Sequence, residues 1–234
     1  MRKQDNKTIL QHLQGRLIVS CQALDFEPLH SSFIMSRMAY AAELGGAGGI
    51  RANTVPDIQA IKKETSLPII GIIKKDYPDT DVVITTTERE VDALAEEGVD
   101  IIAMDATFRT RHDGETLEHL FQRVREKYPR QLFMADCSTY EEGVNAENLG
   151  FDIVSTTLCG YTDYTQGREL PDYQTVEKFV KELHCPVIAE GGIWTPEQLR
   201  KIMDFGVLAV VIGTAITRPM EITRHFVSAL DMTE

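Results

Sequence analysis

The sequence has no long apolar run and no apolar leader. None of its 234 residues belongs to an uninterrupted apolar stretch of ~18 residues, so no membrane span is predicted and a membrane is not an expected partner. The first seven residues, MRKQDNK, are charged and polar where a secretory signal has an apolar core. We therefore expect a cytoplasmic protein.

Metal-binding and nucleophile motifs are also missing. The six histidines form no H-E-x-x-H pattern and no G-x-S-x-G element occurs, so neither a catalytic transition metal nor a hydrolase nucleophile is expected. Carboxylates such as Asp105 and Asp136 are able to hold a magnesium ion. The cysteines form no C-x-x-C pair, and we expect them to be reduced and mostly buried. They are Cys21, Cys137, Cys159 and Cys185.

Basic residues are scarce. Lysine and arginine together number 24, against 36 aspartates and glutamates, so the formal net charge is -12. A surface this acidic repels nucleic acid and anionic membranes, and neither is an expected partner. An anionic small substrate stays compatible with this charge, because a few basic groups can dominate the field inside a pocket.

The chain does contain regularly spaced apolar runs, which alternate with segments of helical period to its end. The runs are almost continuous in apolar residues, as in strands that are covered on both faces. The predicted strands are Leu17–Gln22, Gly49–Ala52, Pro68–Lys74, Ile101–Asp105, Leu132–Asp136, Ile153–Thr157, Pro186–Glu190 and Ala209–Ile212.

The intervening segments carry helix start and stop signals. The pair Thr87 and Glu90 forms a capping box, and Gly98 and Gly150 follow two of the helices. The first predicted helix runs from Ser31 or Ser32 to Leu44. The others are Pro56–Thr65, Val91–Glu97, Thr116–Tyr128, Glu141–Leu149, Tyr173–Leu183, Thr195–Phe205 and Pro219–Leu230.

Eight βα units in this length predict an α/β protein, a single (β/α)8 barrel over residues 1–234. An open doubly wound sheet is the alternative. Residues 1–14 form an N-terminal extension in this reading. Ile9, Leu10 and Leu13 have helical spacing there, which predicts a short helix that plugs the N-terminal end of the barrel; a frayed tail is the other interpretation.

Polar residues end six of the predicted strands, and the C-terminal ends of barrel strands meet at one mouth. A polar pocket explains six such positions better than chance does. Side chains alternate along a strand, so Lys74 shares a face with Ile70 and Ile72, whose apolar surroundings lower a lysine pKa and make the amine a usable base. The six residues are Gln22, Arg51, Lys74, Asp105, Asp136 and Glu190.

The last two βα loops have the composition of an anion site. Gly191 and Gly192 follow the seventh strand, and Gly213 and Thr214 follow the eighth, which is where barrels commonly bind phosphate. Arg218 follows and can supply a charge-assisted hydrogen bond. Cys21 and Cys137 fall on the opposite strand face from their neighbours Gln22 and Asp136, so we expect them to be structural.

Eight sequence blocks resemble the N-acylglucosamine-6-phosphate 2-epimerases, also called N-acetylmannosamine-6-phosphate 2-epimerases. The blocks are IVSCQALDFEPLHSSFIM, GAGGIRA, LPIIGIIKK, IIAMDAT, MADCSTYEEG, GFDIVSTTLCGYT, VIAEGGIWTPEQL and VIGTAITRP. The resemblance implies a homodimeric isomerase of sialic-acid and amino-sugar catabolism that uses an amino-sugar phosphate and no organic cofactor. Lys74 and Glu190 match the catalytic positions of the family, and the substrate-contacting positions correspond to Gln22, Arg51, Asp136 and Arg218.

One departure from the family pattern is visible. The position after Glu190-Gly191 is often arginine or asparagine in relatives, and it is Gly192 here. We therefore expect the phosphate site to be kept, without a side-chain contact from this position.

The implied reaction fits these residues. In the open-chain sugar, H2 is α to the C1 aldehyde, so its removal gives an enolate that can be protonated from the other face. Lys74 fits the base, and Arg51 or Gln22 is placed to stabilise the oxyanion. Glu190 is either the second acid and base or the group that deprotonates Lys74 and assists ring opening. A Schiff-base aldolase and a non-catalytic sugar-phosphate sensor are the alternative functions.

Overall fold

Eight parallel strands close into a barrel in the computed structural model, which describes residues 5–230. Neighbours in the barrel are neighbours in the sequence, and β1 pairs with β8 from Arg16 opposite Ala209 to Val19 opposite Ile212. This closure excludes the open sheet. The strands are β1 Arg16–Cys21, β2 Gly49–Asn53, β3 Ile69–Ile72, β4 Ile101–Asp105, β5 Leu132–Asp136, β6 Ile153–Ser155, β7 Val187–Glu190 and β8 Ala209–Ile212.

Helices follow the strands and form the outer layer. Among residues 5–230, no helix has both the length and the apolar character that a membrane crossing requires. The helices are α1 Asn6–Leu13, α2 Ser32–Leu44, α3 Val55–Ile61, α4 Glu88–Glu97, α5 Leu117–Lys127, α6 Tyr140–Leu149, α7 Tyr173–Glu182, α8 Pro196–Asp204, α9 Thr214–Thr217 and α10 Pro219–Ser228, with a 3-10 turn at His112–Gly114.

Side-chain alternation divides the apolar residues into two clusters. One fills the barrel and contains Ile70 and Ile72, and the other lies between the strands and the helices. Ile9 and Leu13 of α1 are fully buried against the inner cluster, so the prediction of a helix that plugs the barrel is confirmed. The first four residues of the predicted N-terminal extension and the last four of the chain lie outside the described residues.

The helix signals operate as predicted, with differences of a few residues at element ends. Thr87 and Glu90 form the capping box of α4, and Gly98 ends that helix at φ +72°. Helix α3 ends at Ile61 and not at Thr65, and β3 ends at Ile72, two residues before its predicted end. Lys74 instead forms an antiparallel bridge with Ile84, because the loop after β3 folds back over the strand end. The short helix α9 and the 3-10 turn were not predicted.

Candidate active site

The C-terminal ends of the strands open into a cavity of about 540 Å³. This volume is typical of small-molecule sites. The cavity brings together eight of the predicted site residues, Gln22, Lys74, Glu190, Gly191, Gly192, Gly213, Thr214 and Arg218. Arg51 and Asp136 are buried beneath it, and Asp105 does not line it.

A buried ion-pair network lies under Glu190. Arg51 Nη1 and Nη2 donate to Asp136 Oδ1 and Oδ2 at 3.0 and 2.6 Å, and Nη1 also donates to Glu190 Oε2 at 2.9 Å. The Arg51 side chain is 1% exposed and the Asp136 side chain is not exposed at all. The guanidinium therefore neutralises two carboxylates of the second half of the barrel and fixes the position of Glu190.

Two threonines of the β6 end complete the support of Glu190, and neither was predicted from the sequence. Thr157 donates its hydroxyl to Asp136 Oδ1 at 2.7 Å and to Glu190 Oε2 at 3.2 Å. The Thr156 hydroxyl bonds the backbone of Glu190 on both sides, donating to its carbonyl and accepting from its N–H. Burial, and after it the charge of Asp136, raises the pKa of Glu190, although Arg51 opposes this shift.

Lys74 reaches the same cavity from the end of β3. Its backbone N–H donates to Asn53 Oδ1 at 2.8 Å, which anchors the residue beside β2. Burial, and then the positive charge of Arg51, lowers the pKa of Lys74, while Glu190 acts in the opposite direction. The predicted depression of this pKa by apolar surroundings is thus present, with a contribution from cations that the sequence did not reveal. Lys75 is exposed.

Gln22 lies just beyond β1 with a free acceptor. Its Nε2 donates to Ser20 Oγ at 2.7 Å, whereas its buried Oε1 has no hydrogen-bond partner among residues 5–230. A buried carbonyl oxygen without a partner is costly. Because Gln22 lines the cavity, a ligand hydroxyl or amide is suited to satisfy this oxygen.

The glycine loops after β7 and β8 approach the cavity closely. Gly192 has φ +67°, and a Cβ there would lie 2.3 Å from Leu170 Cβ. A side chain at this position requires the neighbouring loop to move, so glycine is the residue that this conformation accepts.

Arg218 lines the cavity, but a carboxylate already contacts it. Its Nε and Nη2 donate to Glu27 Oε2 and Oε1 at 3.1 and 2.9 Å. Glu27 belongs to the loop between β1 and α2 and was not predicted as a site residue. The sequence does not distinguish Glu27 from other acidic residues, because a loop has no periodic pattern that shows which carboxylates are buried.

Asp105 departs from the predicted ring of strand-end side chains. Its Oδ2 accepts from Arg109 Nη2 at 2.6 Å, and its Oδ1 accepts from the N–H and the hydroxyl of Thr107. Asp105 therefore holds Arg109, and it is Arg109 that lines the cavity. Every carboxylate oxygen of Asp105 and Asp136 has an arginine or other donor, an arrangement that does not fit a magnesium site.

Two of the four cysteines lie in the apolar layer between the strands and the helices, on the face that strand alternation predicts. Cys21 and Cys137 belong to the outer apolar cluster and are fully buried. Burial raises the pKa of Cys21 to about 12, so its thiol is protonated at neutral pH.

One group of potential metal ligands occurs within residues 5–230, outside the cavity. Ligand atoms of Asp79, His112 and Asp113 lie within 4.8 Å of one another. His112 Nδ1 and Asp79 Oδ1 are already 2.6 Å apart, so these groups partner each other at the surface.

Comparison with known proteins agrees with this site. The family model described as "Putative N-acetylmannosamine-6-phosphate epimerase" (NanE) matches residues 35–232. The chain belongs to the NanE epimerase family. It is an isomerase-class enzyme of that family, which confirms the resemblance inferred from the sequence blocks.

Individual NanE relatives are similar over almost the whole chain. A "Putative N-acetylmannosamine-6-phosphate 2-epimerase" of Caldanaerobacter subterraneus subsp. tengcongensis is 56% identical over 94% of this chain and 93% of its own. The protein of the same name from Clostridioides difficile is 53% identical over 96% and 100%.

Two solved structures have a similar fold, and one of them is an epimerase. The N-acetylmannosamine-6-phosphate 2-epimerase of Clostridium perfringens has a TM-score of 0.90 at 52% identity, over 94% of this chain and 96% of that one. Thiamine phosphate pyrophosphorylase of Pyrococcus furiosus, at 15% identity and a TM-score of 0.59 over 94% and 98%, shares the fold alone.

Proposed function

We propose that this protein interconverts N-acetylmannosamine 6-phosphate and N-acetylglucosamine 6-phosphate by inverting C2. The observation that carries the proposal is the pairing of Lys74 with Glu190 in one cavity, beside the glycine loops after β7 and β8. The named relatives supply the substrate pair. One barrel domain, without an organic cofactor, is sufficient for this chemistry.

Proton transfer at C2 uses the open-chain form of the sugar. Neutral Lys74 Nζ removes H2, the electron pair of the C–H bond moves into the C1–C2 bond, and the carbonyl electrons move to O1. Protonation of the resulting enolate on the opposite face of C2 gives the epimer and restores the aldehyde. Glu190 either delivers this second proton or takes the proton from Lys74 and assists ring opening.

The geometry divides the predicted substrate contacts into two groups. Gln22 lines the cavity, which supports its assignment as a substrate contact. Arg51 and Asp136 lie beneath Glu190, and we assign them to fixing the position and charge of that carboxylate. Between the two oxyanion donors considered from the sequence, exposure to the cavity favours Gln22.

The phosphate binds at the other end of the cavity in this proposal. Gly191 and Gly192 leave room for the backbone N–H groups of the β7 loop to approach an anion, and Gly213 and Thr214 do the same after β8. Arg218 supplies the charged donor. This end anchors the sugar, so that its binding energy orients C2 between Lys74 and Glu190.

Turnover in D2O tests the mechanism. We expect either sugar phosphate to give the 2-epimer with deuterium at C2, and Lys74→Ala to lose both epimerisation and exchange. Sodium borohydride added with the substrate would trap a Schiff base on Lys74 only if the protein were an aldolase. Binding without turnover would instead identify a sugar-phosphate sensor.

We also propose a cytoplasmic homodimer. Helix α10 buries none of its residues, and Phe226, Val227 and Leu230 are exposed at the end of the described chain. Apolar side chains that are grouped on one helix end favour a protein contact. Light scattering after size-exclusion chromatography measures the mass directly, and a monomer at micromolar concentration would contradict the dimer.

A further inference from the structure

The carboxylate of Glu27 lies against Arg218 at the rim of the cavity. Glu27 is only 7% exposed, and its side chain accepts from Arg218 Nε and Nη2 and from the backbone N–H of Leu24 at 3.0 Å. The hydrogen bonds from Arg218 and Leu24 lower the pKa of Glu27, although burial acts more strongly than any one of them in the opposite direction. The residue is therefore a buried carboxylate that is ionised at neutral pH.

Glu27 uses one edge of the guanidinium and leaves the other. An arginine presents two pairs of parallel N–H groups, one along the Nε–Nη2 edge and one along the Nη1–Nη2 edge. Glu27 occupies the first edge. Arg218 Nη1 forms no hydrogen bond or ion pair with any residue in 5–230, and the ion pair of Nη2 with Glu221 Oε1, at 3.9 Å, is too long for a hydrogen bond. The second edge therefore keeps a bidentate donor pair that matches the oxygens of a phosphate.

The Glu27 side chain is itself fixed by its loop. The Glu27 N–H donates to the Leu24 carbonyl at 2.8 Å, and the His30 N–H donates to the Glu27 carbonyl at 3.0 Å. These bonds make the loop between β1 and α2 compact around Glu27. The loop thus orients the carboxylate, and the carboxylate orients Arg218.

We propose that Glu27 is a positioning residue for phosphate binding: it fixes Arg218 by the Nε–Nη2 edge and thereby presents the Nη1–Nη2 edge to the 6-phosphate. This inference rests on the proposed function, because it assigns the role of a further residue in the same site. Glu27 itself does not contact the phosphate in this arrangement.

Glu27 has two effects on the affinity for phosphate, and these effects have opposite signs. The negative charge of Glu27 lies near the bound anion and by itself weakens phosphate binding. Pre-orientation of Arg218 strengthens binding, because a free arginine side chain loses rotamer entropy when it binds. In the proposed role, the gain from pre-orienting Arg218 exceeds the loss from charge repulsion.

The steady-state kinetics of Glu27→Gln show which of the two effects on phosphate affinity is larger. We expect KM for N-acetylmannosamine 6-phosphate and the inhibition constant of inorganic phosphate each to rise about tenfold, with kcat within about twofold of wild type. Once Arg218→Ala has removed the guanidinium, adding Glu27→Gln should raise KM no further and should lower it slightly, because only the repulsion between Glu27 and the phosphate is left to remove. An unchanged or lower KM in Glu27→Gln, or an equal increase in both backgrounds, would overturn the proposal.

Asp152→Asn is the matched control. Asp152 also accepts from an arginine, Arg125 at 2.6 Å, and from a backbone N–H, that of Phe133 at 2.8 Å, but it precedes β6 at the opposite end of the barrel. We expect this variant to keep the wild-type KM. An increase equal to that of Glu27→Gln would show a general effect of losing a carboxylate that is bound to an arginine, and the positioning role would be wrong.

Arg218→Lys tests the need for a guanidinium with two edges, and it does not depend on whether Glu27→Gln folds. An ammonium group keeps the charge but has no two edges, so KM should again rise about tenfold, and a wild-type KM would contradict the proposal. Calorimetry with inorganic phosphate separates this inference from the proposed function. Wild-type protein that binds phosphate without epimerising would refute the function, and Glu27→Gln would still report on the orientation of Arg218.

Discussion

Arg51 carries a buried positive charge that two carboxylates share. Each partner left alone would be a buried charge with no counter-ion, which is far more costly than the pair itself. The pKa of Arg51 is raised further, because Asp136 and Glu190 outweigh the burial that acts against its charge. The residue stabilises the fold only as part of this set.

Replacing Arg51 with methionine tests its contribution. We expect Arg51→Met to lower the free energy of unfolding by about 3–5 kcal/mol, because Asp136 and Glu190 lose their counter-ion. Arg37→Met removes an exposed arginine from its pair with Glu64 and should cost less than ~1 kcal/mol. Urea unfolding measures both, and equal losses would contradict the assignment.

Lys74 lowers the stability of the folded protein, because its charged form is buried near other cations. Its pKa in the folded protein is lower than the usual 10.5. At a pH below the folded pKa both states are protonated, and folding bears the full penalty of the buried charge. As pH rises from the folded pKa to 10.5, only the unfolded state keeps the proton, so the penalty disappears.

Lys74→Met should therefore be more stable than wild type at neutral pH. We expect the difference in the free energy of unfolding to narrow as the pH approaches 10.5, while activity is absent at every pH. Chemical denaturation of both proteins between pH 6 and pH 10.5 follows this difference. A constant difference would show that Lys74 titrates at the same pH in both states.

At the scale of helices, contacts between neighbouring elements decide what each helix accepts. Gly143 lies inside α6, where glycine is usually unfavourable compared with alanine by ~0.5–1 kcal/mol. A Cβ at this position would lie 2.5 Å from the ring of Phe179 on α7. The glycine therefore allows α6 and α7 to approach each other.

Gly143→Ala reverses the usual preference. We expect a loss of about 1–3 kcal/mol in the free energy of unfolding, since the new methyl group forces the Phe179 ring to move. The same substitution in a Phe179→Leu background should cost less, because leucine has no atoms at the ring edge. Thermal unfolding of the four proteins gives the coupling, and an additive result would exclude the contact as the cause.

Elements were predictable where the pattern is periodic. Alternation along β3 placed Ile70 and Ile72 on the inner face correctly, and glycine ended α4 and α6 where it was expected. Periodicity did not reveal that Lys74 lies beyond the strand, because the bridge to Ile84 depends on how a loop folds back.

The site was predictable to the level of strand ends and not beyond. Alternation gives the face of a side chain, but it does not tell how far an arginine extends or what covers it. Alternation therefore did not reveal that Arg51 donates to Glu190 or that Asp105 accepts from Arg109. Glu27 lies in a loop, where neither spacing nor composition separates a buried polar residue from an exposed one. Thr157 ended a predicted strand, but its uncharged side chain gave no sign that it contacts Asp136 and Glu190.

At the scale of the whole molecule, α10 is a ten-residue helix that buries none of its side chains against the barrel. Phe226 is 70% exposed there, and its loss should not disturb the barrel. We expect Phe226→Asp to shift the protein from the proposed dimer to a monomer whose barrel is still folded, with an unfolding temperature that no longer depends on protein concentration. Leu44→Asp, at an apolar residue of α2 that is 71% exposed, should leave the dimer intact. Dissociation by both variants, or by neither, would contradict the assignment of α10 to the interface.

Arg51 belongs to β2, and both carboxylates that it neutralises belong to β5 and β7. A nascent chain that has left the ribosome only as far as β4 therefore holds a cation with no counter-ion, and the later half alone would hold two unmatched anions. Neither half can be a favourable folding intermediate with these groups buried. We expect the two half-barrels to form together, so that the lysine of the first half meets the carboxylate of the second in the same cooperative step that completes the fold.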